Sequence, residues 1–382
     1  MRFAVTLVAL AALAPRGAAQ EPDIEASVHG LVLMNAFHTS DNVNNSDVPQ
    51  FAVPAGTAPE GSASSATVRQ SRVTAFALVP EFAGGVLEGE LDVDFFGGQQ
   101  PSTGGRTFPL LRVRRAIAEV TWRSVAVLVG QESPPIAAVS PSSIASVGFP
   151  DFAGAGNLWL WIPQVRLSAD LPARGTLRVG AEVAALAPTS GEPQGAFLTQ
   201  PDAAERSGRP FLQGRIRGRW GQGDQLGEVS AGGHYGWILD AAGRRVASKA
   251  LAVSVWTPLG PKLDFRAEAF TGQALAGLGG GGIGQNIVRD GVPVRARGGW
   301  AQLNLRPTSR WEIGGGGGLD DPGDEDLGEA SRLRNVAVEG HVTWRRLPAV
   351  VGVEVRHLRT RYREPVGDLA ATHVNLGMGF EF

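Results

Sequence analysis

Apolar and polar residues alternate one for one along much of this chain. In the last ten residues, Val374, Leu376, Met378, Phe380 and Phe382 are apolar, and the positions between them are polar or glycine. A period of two marks a strand with one apolar face and one wet face. Segment 84–97 sets Glu88, Glu90, Asp92 and Asp94 against Leu87, Leu91, Val93 and Phe95. Segment 210–220 sets Gln213, Arg215, Arg217 and Arg219 against Leu212, Ile216 and Trp220. Segments 226–237 and 333–346 repeat the pattern, the latter with Asn335, Glu339, His341 and Thr343 opposite Val336, Val338, Val342 and Trp344. So many charges on one face of each strand require water there, while the other face suits lipid.

About sixteen such segments are predicted: 25–38, 67–79, 84–97, 109–122, 124–131, 157–170, 175–187, 210–220, 226–237, 247–257, 262–273, 296–306, 310–318, 333–346, 349–361 and 371–382. Their connections sort by length. Tight turns such as Arg123-Ser124 and Leu347-Pro348 alternate with long, Gly-, Pro- and Asp-rich stretches such as 39–66, 132–156 and 274–295. Short periplasmic turns alternating with long extracellular loops characterise outer-membrane barrels. The expected fold is therefore all-β: a transmembrane antiparallel barrel of about sixteen strands. A barrel of that size encloses a water-filled space. Its last strand must then pair with residues 25–38, and Trp220 and Trp237, at strand ends, suit aromatic girdles.

Composition is consistent with this reading. Mean hydropathy is −0.03, as expected where lipid-facing and water-facing positions average out. Arg2, the apolar run Phe3 to Ala14 and Gly17-Ala18-Ala19 form an export signal expected at residues 1–19, with the barrel domain at 20–382. Losing Arg2 and Arg16 with it takes the formal charge from −2 to −4. There is no cysteine, which excludes a disulfide framework or thiolate chemistry. No basic patch argues for nucleic acid.

Segment 109–122 departs from the pattern. Arg112 and Arg114 share a face, but Arg115 breaks the alternation ahead of Ala116 and Ala118. A bulge or a protein-covered patch at a subunit interface would accommodate it, and the interface is preferred. The run Arg69-Gln70-Ser71-Arg72, the stretch Leu87 to Gly97, Leu111-Arg112-Val113-Arg114-Arg115-Ala116 and Val127 to Gln131 together resemble DcaP-like trimeric porins, specifically over about 67–170. The resemblance implies sixteen strands, a homotrimer, passive uptake of small and often anionic solutes, and an inward fold of loop 132–156 that narrows the pore. Two departures stand out: strand one begins almost directly after the signal, with no coiled-coil segment, and Arg115 stands where the family tends to have histidine.

The candidate pore-lining and selectivity residues are Arg112, Arg114, Arg215, Arg217, Arg219, Glu88, Glu90, Asp92, Asp94, Glu132 and Asp151. Guanidinium groups open to water attract carboxylates and phosphates. Alternatively, the arginines pair with Glu88, Glu90, Asp92, Asp94 and Glu119 across the lumen and only neutralise its wall. Prolines 134, 135, 141 and 150 stiffen the 132–156 loop. The six histidines have no compact ligand spacing, so no metal or cofactor is expected. Gly279–Gly282 and Gly314–Gly318 lack a phosphate-loop ending and read as loop and strand glycine. Asp320, Asp321, Asp324, Glu325 and Asp326 read as a solvated acidic loop, with divalent-cation or lipopolysaccharide linkage as the alternative. No nucleophile elbow is present. The expectation is an outer-membrane channel without catalysis. Its partners would be membrane lipid, lipopolysaccharide, two further copies of itself and small hydrophilic solutes. The alternatives are a barrel enzyme, or an adhesin or structural barrel with a blocked lumen.

Overall fold

The computed structural model describes residues 23–56, 61–97, 109–172, 175–191, 200–287 and 291–382; the expected signal peptide lies outside them. Seventeen strand segments run in order: β1 Glu25–Thr39, β2 Ala63–Thr67, β3 Arg72–Phe82, β4 Gly85–Gly97, β5 Leu110–Thr121, β6 Val125–Glu132, β7 Ile162–Asp170, β8 Arg178–Leu186, β9 Phe211–Trp220, β10 Gly227–Leu239, β11 Arg245–Pro258, β12 Leu263–Gln273, β13 Arg295–Thr308, β14 Trp311–Pro322, β15 Arg332–Arg346, β16 Ala349–Tyr362 and β17 Asp368–Glu381. Apart from β2 and β3, which do not pair with each other, chain neighbours pair antiparallel, and β17 closes on β1. β2 and β3 both pair with β1, at Asn35–Thr39 and Glu25–Leu31, so they form one interrupted strand of a closed sixteen-stranded barrel. Four residues, Val68 to Ser71, oppose three at Val32 to Met34, which is a bulge.

Burial is inverted relative to a water-soluble protein. Leu251 is 67 % and Ile216 65 % exposed on the outer face, whereas Glu354 and Asn375 on the inner face are 0 % exposed. Closure pairs each strand with neighbours on both sides, which supplies backbone partners where no water is available. Trp122, Trp220, Trp311, Trp344 and Phe380 stand near the short-turn end, and Tyr235 and Trp237 pack edge-to-face near the other. The chain end is tied in: the Phe382 amide donates to the Gly30 carbonyl at 3.0 Å and Gly30 reciprocates at 2.9 Å.

Three differences from the sequence expectation have physical causes. Residues 157–161 were predicted as strand, but their backbone turns inward, with the Trp159 and Leu160 amides donating to the Leu278 carbonyl at 2.9 and 3.1 Å. β14 extends to Pro322, so Asp320 and Asp321 belong to a strand rather than to an acidic loop. Asp320 faces inward and accepts from the amides of Gly281, Gly282 and Ile283, holding the 276–287 segment to the wall. Finally, the register slips between Asp92–Arg115 and Val93–Val113, leaving Arg114 as the extra residue of a bulge. That bulge, not a subunit interface, absorbs the broken alternation at Arg115.

Segment 133–161 contacts the inner wall over a wide arc. The Ser142 hydroxyl donates to Glu312 (2.9 Å), the Ser143 hydroxyl to Glu354 (2.5 Å), and the Leu158 amide to Glu268 (3.0 Å). Gln70, in the β2–β3 bulge, accepts from the Val147 and Gly148 amides and donates to the Ala145 carbonyl. Ile144 is buried against Leu33 and Val350. The inward glycines of β14 make room: a Cβ on Gly318 would strike Phe152 and the Ala155 carbonyl. Gly156 adopts φ +99°, and a Cβ there would meet the Gly299 backbone.

Candidate pore site

The β5 bulge turns Arg112, Arg114 and Arg115 all inward, something a regular strand could not do with two adjacent residues. Arg72 from β3, Arg166 from β7 and Arg215 from β9 converge with them. Arg72, Arg114, Arg115, Arg166 and Arg215 line a cavity of about 530 Å³ whose opposite side is segment 133–161, with Pro134, Pro141, Pro150, Trp159 and Trp161. Glu132 is the one carboxylate among the described residues that line it.

Arg166 donates to the Gln164 side chain at 3.2 and 3.0 Å; the other arginines are held by carboxylates on neighbouring strands. Arg72 donates to Asp92 at 2.6 Å, and Arg112 grips Asp94 with two bonds at 3.0 and 2.6 Å. Arg114 lies 3.5 Å from Asp92 and donates to the Val147 carbonyl at 2.8 Å. Arg115 bridges Glu90 (2.7 Å) and Glu132 (2.7 Å). Arg215 chelates Glu182 at 3.1 and 3.0 Å and reaches Glu228 at 3.1 Å. These pairs fix guanidinium orientation, since the planar fork matches a carboxylate. The acids Asp92 and Asp94 are fully buried behind the arginines, leaving cationic groups at the cavity surface.

Aromatic rings brace the same wall. Phe96, Phe149, Trp159 and Trp161 form an edge-to-face chain with successive centroids 5.0, 5.1 and 5.3 Å apart. Arg112 lies over Phe149 and Arg114 over Trp161, at 5.2 and 4.6 Å from the centroids, within cation–π range.

The far wall carries the opposite sign, but the inner loop covers it. Glu268, Glu312 and Glu354 accept bonds from segment 133–161, and Glu339 accepts from Gln302 at 2.9 Å. Glu339, His341 and Glu354 offer ligand atoms within 4.8 Å of one another. Glu354 is already engaged by Arg356 (2.7 Å) and Ser143, however, so a cation there would compete with a guanidinium. The signs are therefore unequal around the cavity: five arginines, paired but lining it, stand against the single Glu132, while the acids of the far wall lie under the loop.

Of the residues singled out by sequence, Arg114, Arg215 and Glu132 line the cavity, together with Arg115. Arg112, Glu90, Asp92 and Asp94 form the layer that holds them. Arg217 and Arg219 pair with Asp170 nearer the short-turn end of β9 (2.9 and 2.6 Å), and Glu88 is exposed. Asp151 is buried in an ion pair with Arg356, away from this cavity. On β4 and β5 the acid–base pairs join adjacent strands of one wall rather than crossing the lumen: Asp94 is opposite Arg112, and Asp92 opposite Arg115. Sequence reasoning missed Arg72, Arg166, Trp159 and Trp161 as lining. Arg166 was detectable, because Gln164, Arg166, Ser168 and Asp170 alternate on a wet face.

No family model and no curated protein matches the chain. Among solved structures, the outer-membrane channel DcaP of Acinetobacter baumannii superimposes with a TM-score of 0.69 over 94 % of this chain and 97 % of its own, at 18 % identity. The chain has the DcaP-like porin fold. An anion-selective porin from Comamonas acidovorans matches with a TM-score of 0.57 over 94 % and 100 %, at 12 % identity. The trimer form of the Vibrio cholerae outer-membrane protein OmpT matches with 0.53 over 94 % and 99 %, at 9 % identity. The DcaP-like fold is thus shared over nearly the full length of each barrel, while side-chain chemistry must be argued from this chain alone. The neighbours and the closed barrel agree on a porin-like barrel fold.

Proposed function

We propose that this protein, exported with residues 1–19 removed, is a trimeric outer-membrane channel that passes small hydrophilic anions down their gradient and catalyses no reaction. One observation carries the reading: five arginines and a single glutamate line the cavity beside segment 133–161, while that segment caps the acids of the opposite wall. A fixed positive lining lowers the barrier for anions and raises it for cations. Segment 133–161 acts as the constriction, its prolines and wall contacts keeping it from swinging clear. The Comamonas neighbour is named as anion-selective and the OmpT neighbour has a trimer form, which supports both parts of the proposal. Reconstitution into planar bilayers tests it. Stable ohmic steps, in threes for each insertion, are the expected result. A folded barrel that stays silent would overturn the channel reading and favour the blocked-lumen alternative.

A further inference from the structure

On the inner wall, Asn304 of β13, Gly314 of β14 and His341 of β15 stand directly opposite one another. Neighbouring strands lie about 4.8 Å apart, so the outer two are roughly 10 Å apart at the backbone. Only the absence of a side chain on Gly314 lets theirs approach. A Cβ added there would stand 2.4 Å from Asn304 Oδ1 and 2.4 Å from His341 Nε2. Both atoms are buried, and among the described residues neither has a hydrogen-bond partner. Asn304 is held in this orientation, because its Nδ2 donates to Asp264 at 3.1 Å and to Gln302 at 3.3 Å. His341 is held likewise, with Nδ1 3.1 Å from Glu339. Glu312, two residues from Gly314 on the same face, places Oε1 3.7 Å from His341 Nε2. That is too long for a hydrogen bond. Two ligands each about 2.1 Å from one ion, however, lie roughly 3.4 Å apart.

We propose that His341 Nε2, Asn304 Oδ1 and Glu312 Oε1 form a binding site for a divalent first-row metal ion of the zinc type. The imidazole favours such an ion over calcium or magnesium, which take oxygen ligands. Zinc accepts three protein ligands with a fourth position open. The surrounding charge matches: the carboxylates Asp264, Glu312 and Glu339 outnumber the guanidiniums Arg266 and Arg306 that pair with them. Arg306 lies 2.8 Å from Oε2 of Glu312, which leaves Oε1 to the ion. Glu339 accepts from Nδ1 and so frees Nε2 for the metal, as carboxylates behind ligating histidines do. Glu354 keeps its bond from Arg356 at 2.7 Å, so no guanidinium is displaced. The Ser142 hydroxyl, 2.9 Å from the same Glu312 oxygen, is in reach of the fourth position. A bound ion therefore ties segment 133–161 to the wall. The ligands come from three strands, so histidine spacing along the chain does not reveal them.

Calorimetric titration of the detergent-solubilised full-length barrel with zinc chloride, after treatment with a chelator, tests the assignment. One ion per chain is expected, with one imidazole and two or more oxygens in its X-ray absorption spectrum. His341→Phe removes a ligand and should weaken binding roughly a hundredfold or more. Gly314→Ala keeps every ligand but sets a methyl group between two of them, and should weaken binding as much. Glu339→Gln touches no ion but orients His341, and should cost roughly ten- to a hundredfold. Heat-modified gel migration checks that each variant is folded; where His341→Phe or Gly314→Ala is not, Glu339→Gln decides. An unaltered barrel that takes up no zinc would overturn the proposal and leave His341 as an imidazolium between Glu339 and Glu312. His29, His38 and His357 are exposed, so undiminished binding by the variants would place zinc on those surface histidines and overturn it equally. Loss of binding in Glu354→Gln, with Gly314→Ala unaffected, would move the ion to the other side of His341 and refute this ligand set.

Discussion

Arg115 concentrates the chemistry of this wall in one residue. It joins Glu90 and Glu132, and Glu132 is the carboxylate that reaches the cavity. Arg115→Ala removes a cation and leaves Glu132 facing the solute, so the change inverts local charge rather than merely reducing it. The expected outcome is a several-fold fall in the anion-to-cation permeability ratio, read from reversal potentials, with the barrel still folded. Gln70 is a different kind of residue. It makes three hydrogen bonds to the backbone of 145–148, at about 1 kcal/mol each. Gln70→Ala should therefore raise open-channel current noise without altering ion preference. The arginines on regular strands could be read from alternation, because position parity alone decides their face. The bulge could not: Arg115 alone gave no sign of whether backbone or partner absorbed the irregularity. Acid–base partners were illegible for a related reason, since pairing depends on strand register, which hydrophobic pattern leaves open by steps of two residues.

Segment 133–161 and the described loop residues 200–210 are held by different means, and each predicts its own failure. The inner segment passes so close to the wall that Gly156, at φ +99°, cannot accept a side chain without displacing the Gly299 backbone. Gly156→Ala should loosen this contact and increase single-channel conductance. The outer loop is anchored by Asp202. Burial opposes its ionisation, but the amides of Glu205, Ser190 and Ala204 donate to it and hold its pKa below the ordinary value. A depressed folded pKa stabilises above the unfolded value and the benefit is lost as pH falls through the folded one. Cleavage of this loop by an acid-active protease should rise below about pH 4, and Asp202→Asn should show the raised cleavage at neutral pH. Strand existence was the most legible level, because each strand carries its own alternating signature. Residues 157–161 misled because an apolar run reads alike whether it faces lipid or, as here, packs inside the barrel against Leu278.

Closure turns sixteen individually unstable strands into one body, and the chain terminus takes part in it. β17 pairs with β1 from His373 to Glu381, and Phe382 adds two backbone bonds to Gly30. Deleting Phe382 removes both and should lower the yield of folded barrel, seen as loss of the heat-modifiable gel band. The inside-out burial of the whole molecule was legible from its averaged hydropathy. What fills the barrel was expected only through the family resemblance, for loop 132–156, because loops carry no periodic signal of their own to say that they fold inward. That filling bears on the central claim: the loop lies over the acids of the far wall, while Arg72 and Arg115 keep the most exposure among the arginines that line the cavity. Reversal potential in a steep KCl gradient tests this most directly. The expected sign is that of chloride passing more readily than potassium, and Arg72→Ala with Arg166→Ala should move it toward zero. Cation preference in the unaltered channel, or a potential unmoved by those two substitutions, would contradict the account.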